Sequence, residues 1–412
     1  MANNRPAGPQ EITTIWNKNF ICVMVLNTLM CFGHFASHPL VASYTKYLGT
    51  SEEITGLLAG IFYGIAFAMR PITGPMMTKL DKRMLMILTF ICGCIANIGY
   101  ALFENITAFT IFRVLHGLQF GFQGSLVMTL ASDNLPLERM TTGMGLYSIG
   151  TAVATAIAPT IGTALLAFGT RAREEGFGFF LVFIFAAVSL ALSVIPAALL
   201  SPDKKTKEEA ASTGAWYKNI ITVHALPAAA LIFLTQGVYS LYTVYIIEFG
   251  ISRGIGNISI FFLVFATVLA VSRPLSGVLT DRLGIKKIII PGLVIFALSL
   301  VTVSFSNTLW MVLIGAALAA LGFGSTHPQI TTMGLQTVRP IKRGVASNTL
   351  YMGIDLGLFL GPLLGGVAIA NYDYITMYRF ALIPLALALV AFLAAYPLFR
   401  RRRAELESEQ YH

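Results

Sequence analysis

Apolar residues run through this chain in long blocks, and short polar or charged clusters break the blocks at regular intervals. A block crosses a ~30 Å hydrocarbon core as a helix when it holds about 20 residues at a rise of about 1.5 Å each. Blocks of that length lie at 17–42, 54–77, 84–103, 107–132, 141–169 and 177–200, then at 220–248, 257–280, 288–306, 308–332, 344–371 and 375–399. One stretch between the sixth and seventh, 201–219 (SPDKKTKEEAASTGAWYKN), has the composition of a solvated linker. The pattern predicts an all-α membrane protein with a six-helix bundle in 1–200, a linker in 201–219, a second six-helix bundle in 220–399 and a tail in 400–412.

The two halves repeat one another. Arg70-Pro71-Ile72-Thr73-Gly74 returns as Arg273-Pro274-Leu275-Ser276-Gly277, a shift of 273 − 70 = 203 residues. The same shift carries Gly150 to Gly353, Pro159 to Pro362 and Gly162 to Gly365 without a gap. An internal repeat of this size in an apolar chain implies two pseudo-symmetric bundles around a central cavity, the build of a secondary transporter.

Composition agrees. The 412 residues are 56% hydrophobic and 11% charged, where a soluble chain carries about 25% charged residues. The net charge of +9 is topological. Twenty of the 28 lysines and arginines fall at the termini, in the linker and in the loops on that side, among them Lys79, Lys82, Arg83, Arg139, Lys286, Lys287 and Arg400 to Arg403; Lys46, Arg171, Arg173, Arg253 and Arg379 fall opposite. Basic loops are retained in the cytoplasm, which places both termini there. Cations spread over short loops are no nucleic-acid surface, and the Arg400 to Arg403 run anchors at anionic lipid headgroups. The first block, too long for a signal-peptide core, is a retained span. Cys22, Cys31, Cys92 and Cys94 lie in or at the ends of apolar blocks as small hydrophobes, with neither a disulfide framework nor a metal site implied.

Gly277-Val-Leu-Thr-Asp281-Arg282-Leu-Gly284-Ile-Lys286-Lys287 joins the eighth and ninth blocks. Glycine there permits close helix approach, while a carboxylate and cations at a helix–loop junction bond neighbouring helix ends in one conformation only, as a gate latch does. The stretch resembles the loop signature of the major facilitator superfamily, and essentially the whole chain is similar to that family's bacterial proton-coupled drug or metabolite efflux carriers. The first half departs from the signature, with Thr78 where aspartate is usual and Asp81 one turn away. Gly145, Gly150, Ala154, Ala158, Pro159 and Gly162 resemble the family's antiporter element; their fuller mates are Gly353, Gly357, Gly361, Pro362, Gly365 and Gly366. Arg113-Val-Leu-His116-Gly117-Leu-Gln119-Phe-Gly121 resembles its fourth-helix motif, in which a buried arginine is implicated in proton transfer.

The candidate chemistry follows. A charge inside a span is costly, so Arg113 is expected to face the bundle interior and meet a carboxylate, a carbonyl or an anionic substrate. Asp355, read as the only carboxylate deep in a block, is the proton-binding candidate, with Arg113 and His116 assisting. Arg70 and Arg273 are expected to bond helix termini as parts of the gate, with Gly277, Asp281 and Arg282. His34, His38, Gln119, Gln123, Gln236, Tyr239, Thr243, His327, Asn348 and Tyr351 are the substrate-contact candidates, a polar and aromatic mixture suited to an amphipathic organic molecule. His34 and His38 have no third ligand at metal spacing, so no metal is expected.

The expected protein is a monomeric, multi-pass carrier in the bacterial inner membrane. It takes no cofactor beyond the proton as coupling ion, its partners are a small organic substrate and membrane lipid, and it exports that substrate in exchange for protons. The alternatives are a proton-coupled importer or exchanger of a small organic anion and, in another class, a transport-dead membrane sensor. No P-loop, G-x-S-x-G elbow or H-E-x-x-H pair points to an enzyme.

Overall fold

A chain in hydrocarbon must pair its backbone amides and carbonyls internally, and a helix does so within one segment. The structure is a computed structural model describing residues 14–135, 140–201, 220–338 and 343–410, and it contains no strand among them. Its passes are α1 (Lys18–Tyr47), α2 (Glu52–Lys79), α3 (Lys82–Leu102), α4 (Ile106–Asp133), α5 (Met140–Ala172) and α6 (Glu175–Leu199) in the first half. The second half holds α7 (Leu226–Ser252), α8 (Ile260–Leu283), α9 (Lys286–Ser304), α10 (Leu309–Leu335), α11 (Arg343–Asn371) and α12 (Tyr374–Phe380 and Leu382–Gln410). Among the described residues 11 helices are long and apolar enough to cross a membrane. The remaining pass, α4, is 28 residues long, and Arg113, His116, Gln119 and Gln123 lower its hydropathy. Residues 202–219, the bulk of the expected linker, lie outside the described residues.

Side-chain caps fix several helix starts. Asn17 accepts from the Phe20 amide at 2.9 Å to open α1. Asp81 accepts from the amides of Arg83 (2.7 Å) and Met84 (3.2 Å) to open α3, so the carboxylate one turn beyond Thr78 is a helix cap. Gly284 ends α8 at φ +87°, a conformation that favours glycine.

Two helices outrun their expected ends furthest. The first block, expected to stop at 42, continues to Tyr47 because Pro39 falls in a tight His38–Leu40 turn, whose first residues need no amide donor. The last continues through the expected tail as helix to Gln410, with Arg401–Glu405 (3.2 Å) and Arg402–Glu405 (3.0 Å) pairs one turn apart.

The halves are built alike. In the first, α1 packs on α5 and α6, and α2 on α4; in the second, α7 packs on α11 and α12, and α8 on α10. Gly121 of α4 seats against Ala66 and Met69 of α2, and its repeat mate Gly324 of α10 seats against Leu269 and Ser272 of α8. The bundles meet along two seams, α2 with α11 and, more sparsely, α5 with α8.

Lipid gives helices no hydrophobic reason to associate, so close approach of small residues has to supply the contact. Gly56, Gly60 and Gly64 recur every fourth residue along one face of α2. A Cβ on Gly56 would overlap the Pro362 carbonyl, one on Gly60 the Phe359 carbonyl, and one on Gly64 would lie 3.0 Å from the Phe359 ring. The expected ridge on α11 divides its work: Gly353, Gly357 and Gly361 press on α7, while Gly366 meets Glu52 of α2.

Candidate functional site

The most buried carboxylate among the described residues, Asp355, lies on the α2–α11 seam. Arg70 Nε donates to Asp355 Oδ2 at 2.6 Å and Nη2 to Oδ1 at 3.3 Å, a two-point contact between the bundles. The residues are 4% and 1% exposed. The Arg70 guanidinium also lies over the Tyr351 ring at 4.9 Å, and the Tyr351 hydroxyl meets Met128 Sδ of α4 at 3.4 Å. Asp355 thus takes its counter-charge from Arg70, a residue expected to bond helix termini as part of the gate.

Arg113 is placed elsewhere. Of the partners open to it, it takes carbonyls: Nε donates to Leu58 O at 2.9 Å and Nη2 to Ala59 O at 3.2 Å, with Phe62 beneath the guanidinium at 4.7 Å. His116 Nδ1 lies 3.3 Å from the Tyr100 hydroxyl and meets Phe62 edge-on. His34 and His38 stack at 5.1 Å, and the Tyr63 hydroxyl is 3.4 Å from Nε2 of each. Gln119 donates to Gln123. His38 Nδ1 and Gln119 Oε1 are buried without a partner. Phe62 and Tyr63 join Phe120, Tyr239, Leu358 and Phe359 in an apolar cluster shared by both bundles.

The second bundle carries its own polar face. Tyr239 stacks on Phe323 at 4.6 Å, and Phe323 on His327 at 5.0 Å. Gln236 Oε1 and His327 Nδ1 are buried without partners. Thr243 donates to the Ser240 carbonyl at 3.0 Å. Arg273 is exposed, next to Ser272, which donates to the Ala320 carbonyl of α10 at 3.3 Å. Asn348 instead donates to Ile220 O at 2.9 Å, tying α11 to the entry of α7. Of the gate candidates, a Cβ on Gly277 would meet nothing within 4 Å, Arg282 is exposed, and the Asp281 side chain lies outside the described residues. No group of three or more possible metal ligands occurs among the described residues.

A second charged network, which the sequence reading passed over, closes the end of the molecule away from the termini. Lys46 of α1 pairs with Glu52 of α2 at 2.9 Å and with Glu248 of α7 at 2.9 Å. Lys46 also donates to the Tyr374 hydroxyl of α12, which donates to Glu52 at 3.2 Å, and Ser43 donates to Glu248 at 2.5 Å. Glu248, at the edge of its expected block, is 6% exposed because α7 runs on to Ser252, so Asp355 is one of two buried carboxylates in the spans among the described residues. The lysine, two glutamates and a tyrosine are far apart in sequence and carry no motif; charged residues at the ends of apolar blocks were the available signal.

Two like bundles, joined by an ion-paired seam and latched at one end by charges from both, define a membrane transport protein. The chain belongs to the Major Facilitator Superfamily, whose model matches residues 23–271 and 225–410. It is 27% identical over 420 residues to the multidrug resistance protein MdtG of Salmonella heidelberg, covering 97% of this chain and 100% of that one. The protein of that name from Proteus mirabilis is 26% identical over 389 residues, covering 89% and 92%. The fold is similar to that of the nucleoside transporter NupG (TM-score 0.72, 14% identity, 91% of this chain and 99% of that one). It is also similar to that of a bacterial homologue of the human lysosomal transporter Spinster (TM-score 0.67, 16% identity, 97% and 98%).

Proposed function

We propose that the protein exports a small organic compound across the bacterial inner membrane in exchange for protons, by rocking of its two bundles about a central cavity. The observation that carries this reading is the buried Arg70–Asp355 pair, an ionisable bridge on the α2–α11 seam. A carboxylate so placed can exchange arginine for a proton, and the exchange loosens a bond between the bundles; binding and conformation are then linked through one group. Efflux is supported by the multidrug resistance name of the relatives at 27% and 26% identity. The end closed by Lys46, Glu52, Glu248 and Tyr374 is the outer one if the basic loops face the cytoplasm, so the conformation is closed to the outside.

The test is reconstitution of the purified protein in liposomes holding a pH-sensitive dye, with a screen of drugs and metabolites for compound-evoked proton movement. Proton flux opposite to cargo, lost in Asp355→Asn, is the expected result. Flux in the same direction would replace the reading with proton-coupled import of an organic anion, and coupling that survives Asp355→Asn would take the proton site away from the seam.

A further inference from the structure

Arg70 and Arg273 open the same repeated five-residue stretch, and among the described residues only Arg70 has an anion beside it. Asp355 of α11 supplies that anion from the opposite bundle. Under the repeat, its counterpart is Ala152 of α5 (355 − 203 = 152), and α5 is the helix that α8, which carries Arg273, meets across the second seam. Arg273 forms no ion pair among the described residues. A guanidinium within a span, with no carboxylate beside it and its face open, is free to take an anion that reaches it.

The surroundings suit a solute. Arg273 is exposed, and its neighbours Ser272 and Ser276 donate to the Ala320 and Gly324 carbonyls of α10 at 3.3 and 3.5 Å, which sets it beside the stretch of α10 that carries Phe323 and His327. Gln236 Oε1 and His327 Nδ1 are buried there without partners. The stacked rings of Tyr239, Phe323 and His327 form a flat apolar wall. A guanidinium fork matches a carboxylate, sulfonate or phosphonate, and stacked rings receive a planar apolar body.

We propose that the anionic group of an organic cargo docks on Arg273, in the place that Asp355 takes beside Arg70, with the cargo's apolar body against the Tyr239–Phe323–His327 stack. This deepens the reading of the chain as a carrier of small organic compounds by naming the cargo class: an aryl or alkyl monoanion. The arginine of the first bundle meets its anion as a side chain of the second, and the arginine of the second receives one from solution.

The test is equilibrium binding to the full-length protein in detergent, which needs neither transport nor a proton gradient. Benzoate, benzenesulfonate and phenylphosphonate are titrated beside neutral benzamide and the cation benzylammonium, with calorimetry and the thermal unfolding temperature as readouts. At least one anion binds while benzamide and benzylammonium do not. Its affinity falls on the order of ten-fold or more, the loss of a charge-assisted pair, in Arg273→Gln, and Arg273→Lys retains part of it. Ala152→Asp deletes no group; it adds the missing carboxylate, which occupies the guanidinium and weakens anion binding to a similar degree while the protein stays folded. Binding unchanged in both Arg273→Gln and Ala152→Asp, failure of all three anions to bind, or preference for benzylammonium overturns the proposal. Proton-coupled export of a cation would discard the Arg273 site and keep the export reading; Arg273-dependent anion binding without proton movement would do the reverse.

Discussion

Arg70 and Asp355 stand 285 positions apart in the chain and 2.6 Å apart in space, each belonging to a different half of the repeat. Desolvation makes a buried pair weak evidence for stability, but removal of one member strands the other charge. Asp355→Asn leaves Arg70 buried and unpaired and is expected to cost about 3–5 kcal/mol. Arg70→Gln costs less, since Asp355 can take up a proton. In a double-mutant cycle read by unfolding in detergent, the double variant loses less stability than the two single variants summed; strict additivity would show that the groups do not interact.

The glycines of α2 should tolerate nothing larger. A side chain on Gly56 or Gly60 runs into backbone carbonyls of α11, which cannot swing aside as a flexible side chain can. Gly60→Val is expected to destabilise by about 1–3 kcal/mol or more and to abolish transport. Gly277→Ala, with open space around it, should fold and unfold like the parent in the same detergent assay. Equal behaviour of the two variants would remove the seam's dependence on close approach.

Lys46 joins three helices at the latched end. Lys46→Met should release that end and shift the population toward a conformation open there. Spin labels at the exposed positions Tyr47 and Tyr372, in a background with the four native cysteines replaced, read the change as a longer-distance population. A distance distribution identical to that of the cysteine-free parent that keeps Lys46 would mean that the network does not hold the conformation.

Asp373 caps α12 by accepting from the Thr376 amide at 2.6 Å, and hydrogen bonding from Thr376 holds its carboxyl below the usual carboxylate range. A depressed folded-state pKa contributes stability above the unfolded value and loses it as pH falls through the folded one. Asp373→Ala should therefore cost about 1 kcal/mol at neutral pH, the worth of an N-cap. The gap between variant and parent in unfolding temperature should close as pH drops below about 4.

Pass number, the two-bundle repeat and most helix limits were legible because hydropathy and backbone pairing are local properties. Helix ends were less so: Pro39 sits where a tight turn absorbs it, and Glu248 looked terminal until α7 proved longer. Partners were the least legible. Asp355 stood out as a carboxylate in an apolar block, yet which of Arg70, Arg113 and Arg273 would face it depends on the rotation of α2, α4 and α8. The Gly56-Gly60-Gly64 spacing was readable in principle and points to the face of α2 that meets α11. Nothing local joins Lys46 to Tyr374, since that network exists only once four helix ends converge.

The two seams are unlike, and the difference bears on how such a molecule can move. Along α2 and α11 backbone touches backbone and a buried ion pair spans the gap, while α5 and α8 meet sparsely and leave an arginine without an ion pair among the described residues. A book behaves this way: one edge is bound and the other falls open. The bound edge keeps the covers in register through each cycle, and whatever is carried comes and goes at the fore-edge. Change along the spine should freeze the volume shut, while change along the fore-edge should alter only what can be slipped between its pages.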